Sequence, residues 1–388
     1  MKIAYVIGYK MPTKNAWGVN IINMCSAFAE NGHDVSLYCF LDKGTTVEVI
    51  CRQYDVKANF KIVPFPKFFW KKNRILTWML KFVLAFHLRH ELEKYDLIYT
   101  RFAQLVLFTK APILYEMHTI CQGVNMHIEQ RLFKKENLLG IICITGSLHE
   151  DVLKQSPYLP QSKVIVAQDG ARQATISIDV DVKKPLLYDS RPVVGYFGSL
   201  AHGKCMEVIG ELAKLRKDIV FHVVGGSDDA VKQWKEFLAG VNNIIFYGYV
   251  ENRYSGYYYS NIDIFLLPNQ RVMLNHYRSS VNDIGRYTSP LKLFEAMSFG
   301  KAIIASSTEV IKEVLTDGEN ALLADPEDIK QWSRCIDKLL SNEQLRKKIG
   351  DAAKKELEEK YTWNKRAINI IDYYKNNDKA FTRYKSEL

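Results

Sequence analysis

A lysine and a glutamate in one short stretch raise a chemical question. Residues 287–306 read YTSPLKLFEAMSFGKAIIAS, a helix pattern followed by a strand pattern. Ser289 suits an N-cap and Pro290 the first turn. Lys292 then falls in that turn, against the positive end of the helix dipole, where an acidic residue is favoured. A cation there is unfavourable in an empty site. It becomes favourable once a phosphate lies between it and the outward-pointing backbone N–H groups. The Ser289 hydroxyl, the Leu291 N–H and the Lys292 ammonium could together hold such an anion. Glu295 follows one turn on, on the same face, where a carboxylate can accept two hydrogen bonds from a diol. A diphosphate joined to a ribose has this layout. The plain alternative is a surface Lys–Glu pair, contributing roughly a few tenths of a kcal/mol.

Other stretches offer related chemistry. GYFGSLAHGK, residues 195–204, sets Gly198 after a strand and Gly203 before a helix, so backbone can approach a ligand closely. Lys204 points a second cation towards the same region. The spacing is one residue short of a G-x-x-x-x-G-K-[ST] phosphate loop and Cys205 follows the lysine, so an ordinary strand-to-helix turn is the alternative. In ILYEMHTICQG, Glu116 and His118 alternate outward at a strand end, where an imidazole can orient a substrate or move a proton. Asp169-Gly170 ends another strand. There is no H-E-x-x-H and no carboxylate cluster, so no metal is expected. Between residues 68 and 82, Phe68, Phe69, Trp70, Trp78 and Phe82 accompany Lys71, Lys72, Arg74 and Lys81. Aromatics beside cations suit an anionic membrane surface. No RNA- or DNA-binding signature accompanies them, and nucleic acid is not expected.

These groups need a scaffold. The chain has 388 residues, enough for two domains, with 47% hydrophobic and 25% charged residues and a net charge of +10. That balance favours anionic partners without choosing among them. The seven cysteines are widely spaced, without C-x-x-C, and read as buried thiols in a reducing cytosol. MKIAYVIGYK reads as a first strand rather than a signal peptide, and Lys81 and His87 interrupt the longest apolar run. A cytoplasmic protein, peripheral on the inner face of a membrane, is expected. IAYVIG, DVSLYCF, FKIVPF, DLIYT, ILYEMH, GIICIT and KVIVAQ read as strands alternating with helices, the pattern of parallel α/β sheets. RPVVGYFGSL restarts the plan, after a polar hinge at residues 171–192. The expected domains are 1–178 and 190–360, both Rossmann-like, with a helix over 361–388 packing back on the first.

TSPLKLFEAMSFGKAIIAS resembles the nucleotide-sugar site of the retaining glycosyltransferases of family 4, in the subgroup with a Ser-Pro-x-Lys-x-x-Glu block. The likeness extends to AFAENGHDVSLY, YEMH, VVGYFGSL, NIIFYGYV and IDIFLLP, and so to nearly the whole chain. It implies an α/β GT-B fold of two Rossmann-like domains facing a central cleft, with C-terminal helices. It also implies transfer of a sugar, with retention, from a UDP- or GDP-linked donor to a hydroxyl of a glycan or lipid-linked acceptor. No cofactor and no metal would be needed. By the same resemblance Glu295 binds the donor ribose, and Ser289, Pro290, Leu291, Lys292, Lys204 and Ser199 surround the diphosphate. Gly248, Tyr249 and Val250 line the base. His118, with Lys204 and Lys292, would be catalytic, and Gly18 and Glu116 would lie on the acceptor side. Two positions depart from the family: Tyr287 stands where the first glutamate of Glu-x7-Glu is common, and Ser199 where an arginine often follows the glycine. The rival readings are a GT-B sugar-nucleotide epimerase, which needs carboxylates near the sugar, and a non-catalytic basic protein binding membrane or nucleic acid.

Overall fold

The computed structural model describes residues 1–70, 73–174, 190–273 and 285–386. Lys71, Lys72 and residues 175–189 of the expected hinge lie outside them, and nothing is described of the Arg74 side chain. The chain forms two compact units, Met1–Gln168 with Trp363–Leu388, and Asp169–Thr362. The first division thus falls at Gln168, ahead of the expected 178.

The first unit is built on seven strands: β1 (Lys2–Met11), β2 (Asp34–Leu41), β3 (Lys61–Pro64), β4 (Leu97–Thr100), β5 (Ile113–Met117), β6 (Leu138–Cys143) and β7 (Val164–Val166). They pair in parallel in the order β3-β2-β1-β4-β5-β6-β7. Runs such as LLGIIC are buried at every position, because helices cover both faces of the sheet. The helix Trp363–Ser386 belongs to this unit. Tyr373 on it donates to the Leu139 carbonyl at 3.2 Å, and Gly140 is glycine because a Cβ would lie 2.3 Å from the Tyr373 ring.

The second unit has β8 (Val193–Phe197), β9 (Val220–Val224), β10 (Ile244–Gly248), β11 (Ile264–Leu267), β12 (Ala302–Ser306) and β13 (Leu322–Ala324), in the order β10-β9-β8-β11-β12-β13. Alternation along β11 shows how its two faces are filled. Ile264 and Leu266 join the cluster of Leu212 and Trp332, while Phe265 and Leu267 join that of Tyr259 and Phe294. Fully burying each such side chain contributes about 1.5–3 kcal/mol. Each sheet has one place where the strand order reverses, between β1 and β4 and between β8 and β11. In open parallel sheets, ligands bind beyond the carboxyl ends of strands at this switch point.

Candidate functional site

At the carboxyl edge of the second sheet, main chain meets main chain. Gly198, just after β8, has φ +146° and donates its N–H to the Val224 carbonyl at 2.8 Å. Gly225, just after β9, has φ +119° and donates to the Gly248 carbonyl at 2.7 Å. A Cβ on Gly225 would lie 2.1 Å from the Gly198 oxygen, so no side chain fits there. The loop after β8 is tied to the loop after β11 by the Gln270 N–H, which donates to the Gly203 carbonyl at 2.7 Å. Gly248, Tyr249 and Val250 follow on β10 and beyond it. Tyr249 and Val250 are half-buried, and Val250 packs against the cluster holding Tyr258 and Tyr259.

Lys292 enters this edge from the helix Leu291–Ser298. Its Nζ donates to the Tyr196 hydroxyl at 2.6 Å and stands 4.1 Å from the centre of that ring. The Tyr196 hydroxyl donates onward to the Ser199 carbonyl at 2.8 Å. Burial pushes the Lys292 ammonium down to about 7, with the Cys205 sulfur opposing and Lys204 adding to the shift. Burial also lowers Lys204 and pushes the Cys205 thiol up to about 12. Among the described residues no carboxylate pairs with Lys292 or Lys204. One turn on, Glu295 accepts a hydrogen bond from the Tyr259 hydroxyl at 3.3 Å. Burial pushes its carboxyl up to about 7, the Tyr259 bond pulling the other way. Tyr259 itself is stacked on Phe197, centroids 3.9 Å apart.

The helix start differs from the sequence expectation. Pro290, with ψ 106°, is the cap residue, and its carbonyl accepts the Leu293 N–H at 2.8 Å. No side chain caps this helix. Ser289 lies one position too early for that, and its Oγ accepts the Asp169 N–H at 3.2 Å. The Asp169 N–H therefore anchors the irregular segment that leads into the helix. Tyr287 is half-buried in the short turn Gly285–Tyr287.

In the first unit the carboxyl edge holds a polar network. Glu116 does not face outward: its side chain is fully buried. Alternation on β5 sends it into the sheet's covered face, where Oε1 accepts from Arg101 Nη2 at 2.6 Å and from His118 Nε2 at 2.6 Å. Arg366 of the last helix lies 3.5 Å from the same oxygen, and the Tyr99 hydroxyl donates to Oε2. Burial alone would raise this carboxyl; Arg101, Arg366 and His118 outweigh it and hold it well below the usual range. Glu116 is thus a support for His118, whose side chain is 30% exposed. Gly18 is also structural. A Cβ would lie 2.5 Å from Thr13 Cγ2 and 2.6 Å from the Tyr54 hydroxyl, so a side chain at this position would clash with this chain's own residues. Sequence spacing gave no sign of Tyr196, Tyr259, Arg101 or Arg366. The aromatic pair in GYFG, just ahead of the loop glycine, is the one local signal for Tyr196. Among the described residues no three of His, Cys, Asp and Glu gather as a metal site.

Known proteins resemble this chain in sequence and in fold. Residues 177–356 match the family described as Glycosyl transferases group 1. Uncharacterized glycosyltransferase MJ1607 of Methanocaldococcus jannaschii is 23% identical, over 97% of this chain and 98% of its own. Spore coat protein SA of Bacillus subtilis is 33% identical over 85 residues, 22% of this chain and 22% of its own. Among solved structures, Anabaena Alr3699/HepE in complex with UDP and glucose superposes with a TM-score of 0.67 at 15% identity, covering 97% of this chain and 99% of that one. Sucrose-phosphate synthase from Thermosynechococcus elongatus gives 0.70 at 15% identity, covering 98% and 99%. The fold is α/β of the GT-B class, and the chain is a glycosyltransferase.

Proposed function

We propose that this glycosyltransferase moves a sugar from a nucleoside diphosphate sugar to a hydroxyl of a glycan or lipid-linked acceptor, with retention at the anomeric carbon and without a metal. The observation that carries the reading is Lys292: a half-buried ammonium with no carboxylate partner, at a helix N-terminus, over the glycine-lined switch point of the second sheet. As the sugar departs, charge grows on the diphosphate. The helix N–H groups, Lys292 and Lys204 stabilise it in place of a metal ion. Glu295 accepts the ribose hydroxyls and fixes the nucleoside. Attack and departure on one face leave the proton of the acceptor hydroxyl to the leaving phosphate, so no side-chain nucleophile is used. His118, oriented by Glu116, is the first unit's candidate for contact with the transferred sugar. UDP is the first donor nucleotide to test, since Alr3699/HepE is bound to it. A screen of UDP- and GDP-sugars, read by released nucleoside diphosphate and by melting temperature, tests this. If none of them binds at millimolar concentration, the reading fails.

A peripheral membrane seat is part of the same proposal. Phe68 is 65% and Ile75 is 72% exposed, and Leu76, Met79, Val83 and Phe86 are also exposed, along one segment that holds no acidic residue. Among the described residues no helix is long and apolar enough to cross a membrane. Serine at Ile75 and Met79 should weaken flotation with anionic vesicles; equal flotation would remove the membrane from the proposal.

A further inference from the structure

Among the described residues of the first unit, Lys81 is a cation that neither the donor chemistry nor the Glu116 network uses. Lys81 lies on the helix Arg74–Leu88, but its side chain turns in to the carboxyl end of β1. Its Nζ stands 5.0 Å from the centre of the Tyr9 ring and 5.9 Å from that of Phe102. A Cβ on Gly8 would come within 3.1 Å of both Cε and Nζ, so the glycine makes room for the ammonium. Among the described residues Lys81 has no hydrogen bond and no carboxylate partner. Burial alone pushes it down to about 8.

Its place in the sheet gives this isolation a meaning. Val6 and Thr100 are the last residues at which β1 and β4 pair with each other, and Tyr9, still within β1, and Phe102 follow them. Lys81 therefore stands over the switch point of the first sheet. The second unit builds its anion seat the same way: Lys292 reaches from a helix to a tyrosine ring, beside a glycine, where β8 and β11 part. A methionine would fill the Tyr9–Phe102 space without the cost of burying a charge. A lysine retained there is suited to an anion that arrives and leaves.

We propose that Lys81 receives a phosphate or diphosphate group of the acceptor. This rests on the glycosyltransferase reading, with the acceptor taken by the first unit. A phosphate matches the unpaired ammonium, and the Arg101 guanidinium also acts on Tyr9, opposing the upward shift that burial imposes on its hydroxyl. The group could come from a lipid phosphate or from a soluble phosphate ester.

The test is calorimetric titration of the full chain with UDP saturating the second unit. The probes are inorganic pyrophosphate and farnesyl phosphate below its micelle concentration. Both should bind the UDP-loaded protein, and Lys81→Met should lose about tenfold or more in affinity for either. Lys81→Gln should show the same loss, and Lys81→Arg should stay within about threefold of wild type. UDP affinity should be unchanged in all three, and Lys81→Met should melt no lower than wild type, because a buried charge has gone. Tighter binding of farnesyl phosphate assigns the group to a lipid; equal binding assigns it to a soluble ester. Unchanged affinity in Lys81→Met and Lys81→Gln, or no binding of either probe to the UDP-loaded chain, overturns the proposal. Failure of UDP itself to bind overturns the donor reading, and this one with it.

Discussion

In the proposed donor site, the shifts at Lys292 and Glu295 should make donor binding bell-shaped in pH, centred near neutrality. There the diphosphate calls on the ammonium and the ribose diol on the carboxylate. In the ligand-free site Lys292 sits at about 7 and Glu295 at about 7. At pH 7 each is charged in about half the molecules, so about a quarter carry both charges, which costs about 0.8 kcal/mol of binding free energy. About one pH unit to either side, one group is charged in about nine-tenths of molecules and the other in about a tenth. The competent fraction drops to about 8%, and affinity about threefold. Further out the fall approaches about tenfold per unit. The assay is calorimetric titration with a nucleoside diphosphate sugar, whose bridged diphosphate does not titrate near neutrality, in two buffers of different ionisation enthalpy. Binding should take up about 0.8 proton near pH 8, where Lys292 must charge, and release about 0.8 near pH 6, where Glu295 must ionise. Glu295→Gln should abolish the acidic limb and leave the alkaline one. Affinity that stays flat between about pH 6 and 8, with no proton exchanged, would falsify the paired assignment.

Lys292→Ala should lower kcat by about a hundredfold, because the growing diphosphate charge loses its nearest cation; unchanged turnover in a donor-saturated assay excludes that role. Lys292→Met should also alter stability without ligand. Between about 7 and the ordinary 10.5 the unfolded chain binds a proton at Lys292 that the folded chain does not, so stability rises with pH across that window. The variant should lose that part of the rise in denaturant titrations, and an identical pH slope counts against a depressed lysine. Arg366→Met leaves buried Glu116 with one fewer cation and should destabilise the protein by about 2–3 kcal/mol; an unshifted denaturation midpoint means the Arg366 contact is dispensable. Gly225→Ala drives a Cβ against the Gly198 carbonyl at 2.1 Å, and should lower the melting temperature and weaken donor binding together. An alanine variant with normal melting and donor affinity would show that this edge tolerates a side chain.

The strands were legible because parallel sheets buried on both faces read as short continuous apolar runs. All seven runs named in the first half contain strands, though in FKIVPF the strand is confined to Lys61–Pro64. The glycine loop and the Lys292–Glu295 spacing were legible because helix periodicity fixes which side chains share a face. The cap was misplaced because Ser289 satisfies the composition rule while its hydroxyl is taken by Asp169, an acceptor role set 120 residues away in sequence. Glu116 was misplaced for a related reason. Alternation places it on a face, but only the fold shows that Arg101, Tyr99 and Arg366 cover that face. Contacts of this range have no local signature in sequence.

The two kinds of cation in the molecule are handled differently, and that difference separates support from chemistry. Arg101 and Arg366 converge on the buried carboxylate of Glu116, with Arg366 also donating to the Ala167 and Gln168 carbonyls. Guanidinium forks suit such fixed, multiply bonded positions. Releasing either to meet a ligand would leave a charge buried and unpaired, so they hold the edge of the first sheet and the orientation of His118. Lys292 is held instead by a neutral tyrosine hydroxyl and a ring face. Neither neutralises it, and an ammonium with three donors keeps two for an incoming phosphate. Tyr196 is itself pinned through the Ser199 carbonyl, so the lysine is positioned without being satisfied electrostatically. If that is the principle, Tyr196→Phe should raise donor KM less than Lys292→Ala does, since the cation survives with the ring still beneath it. A Tyr196→Phe loss equal to that of Lys292→Ala would mean that the hydroxyl, not the charge, is what the diphosphate depends on.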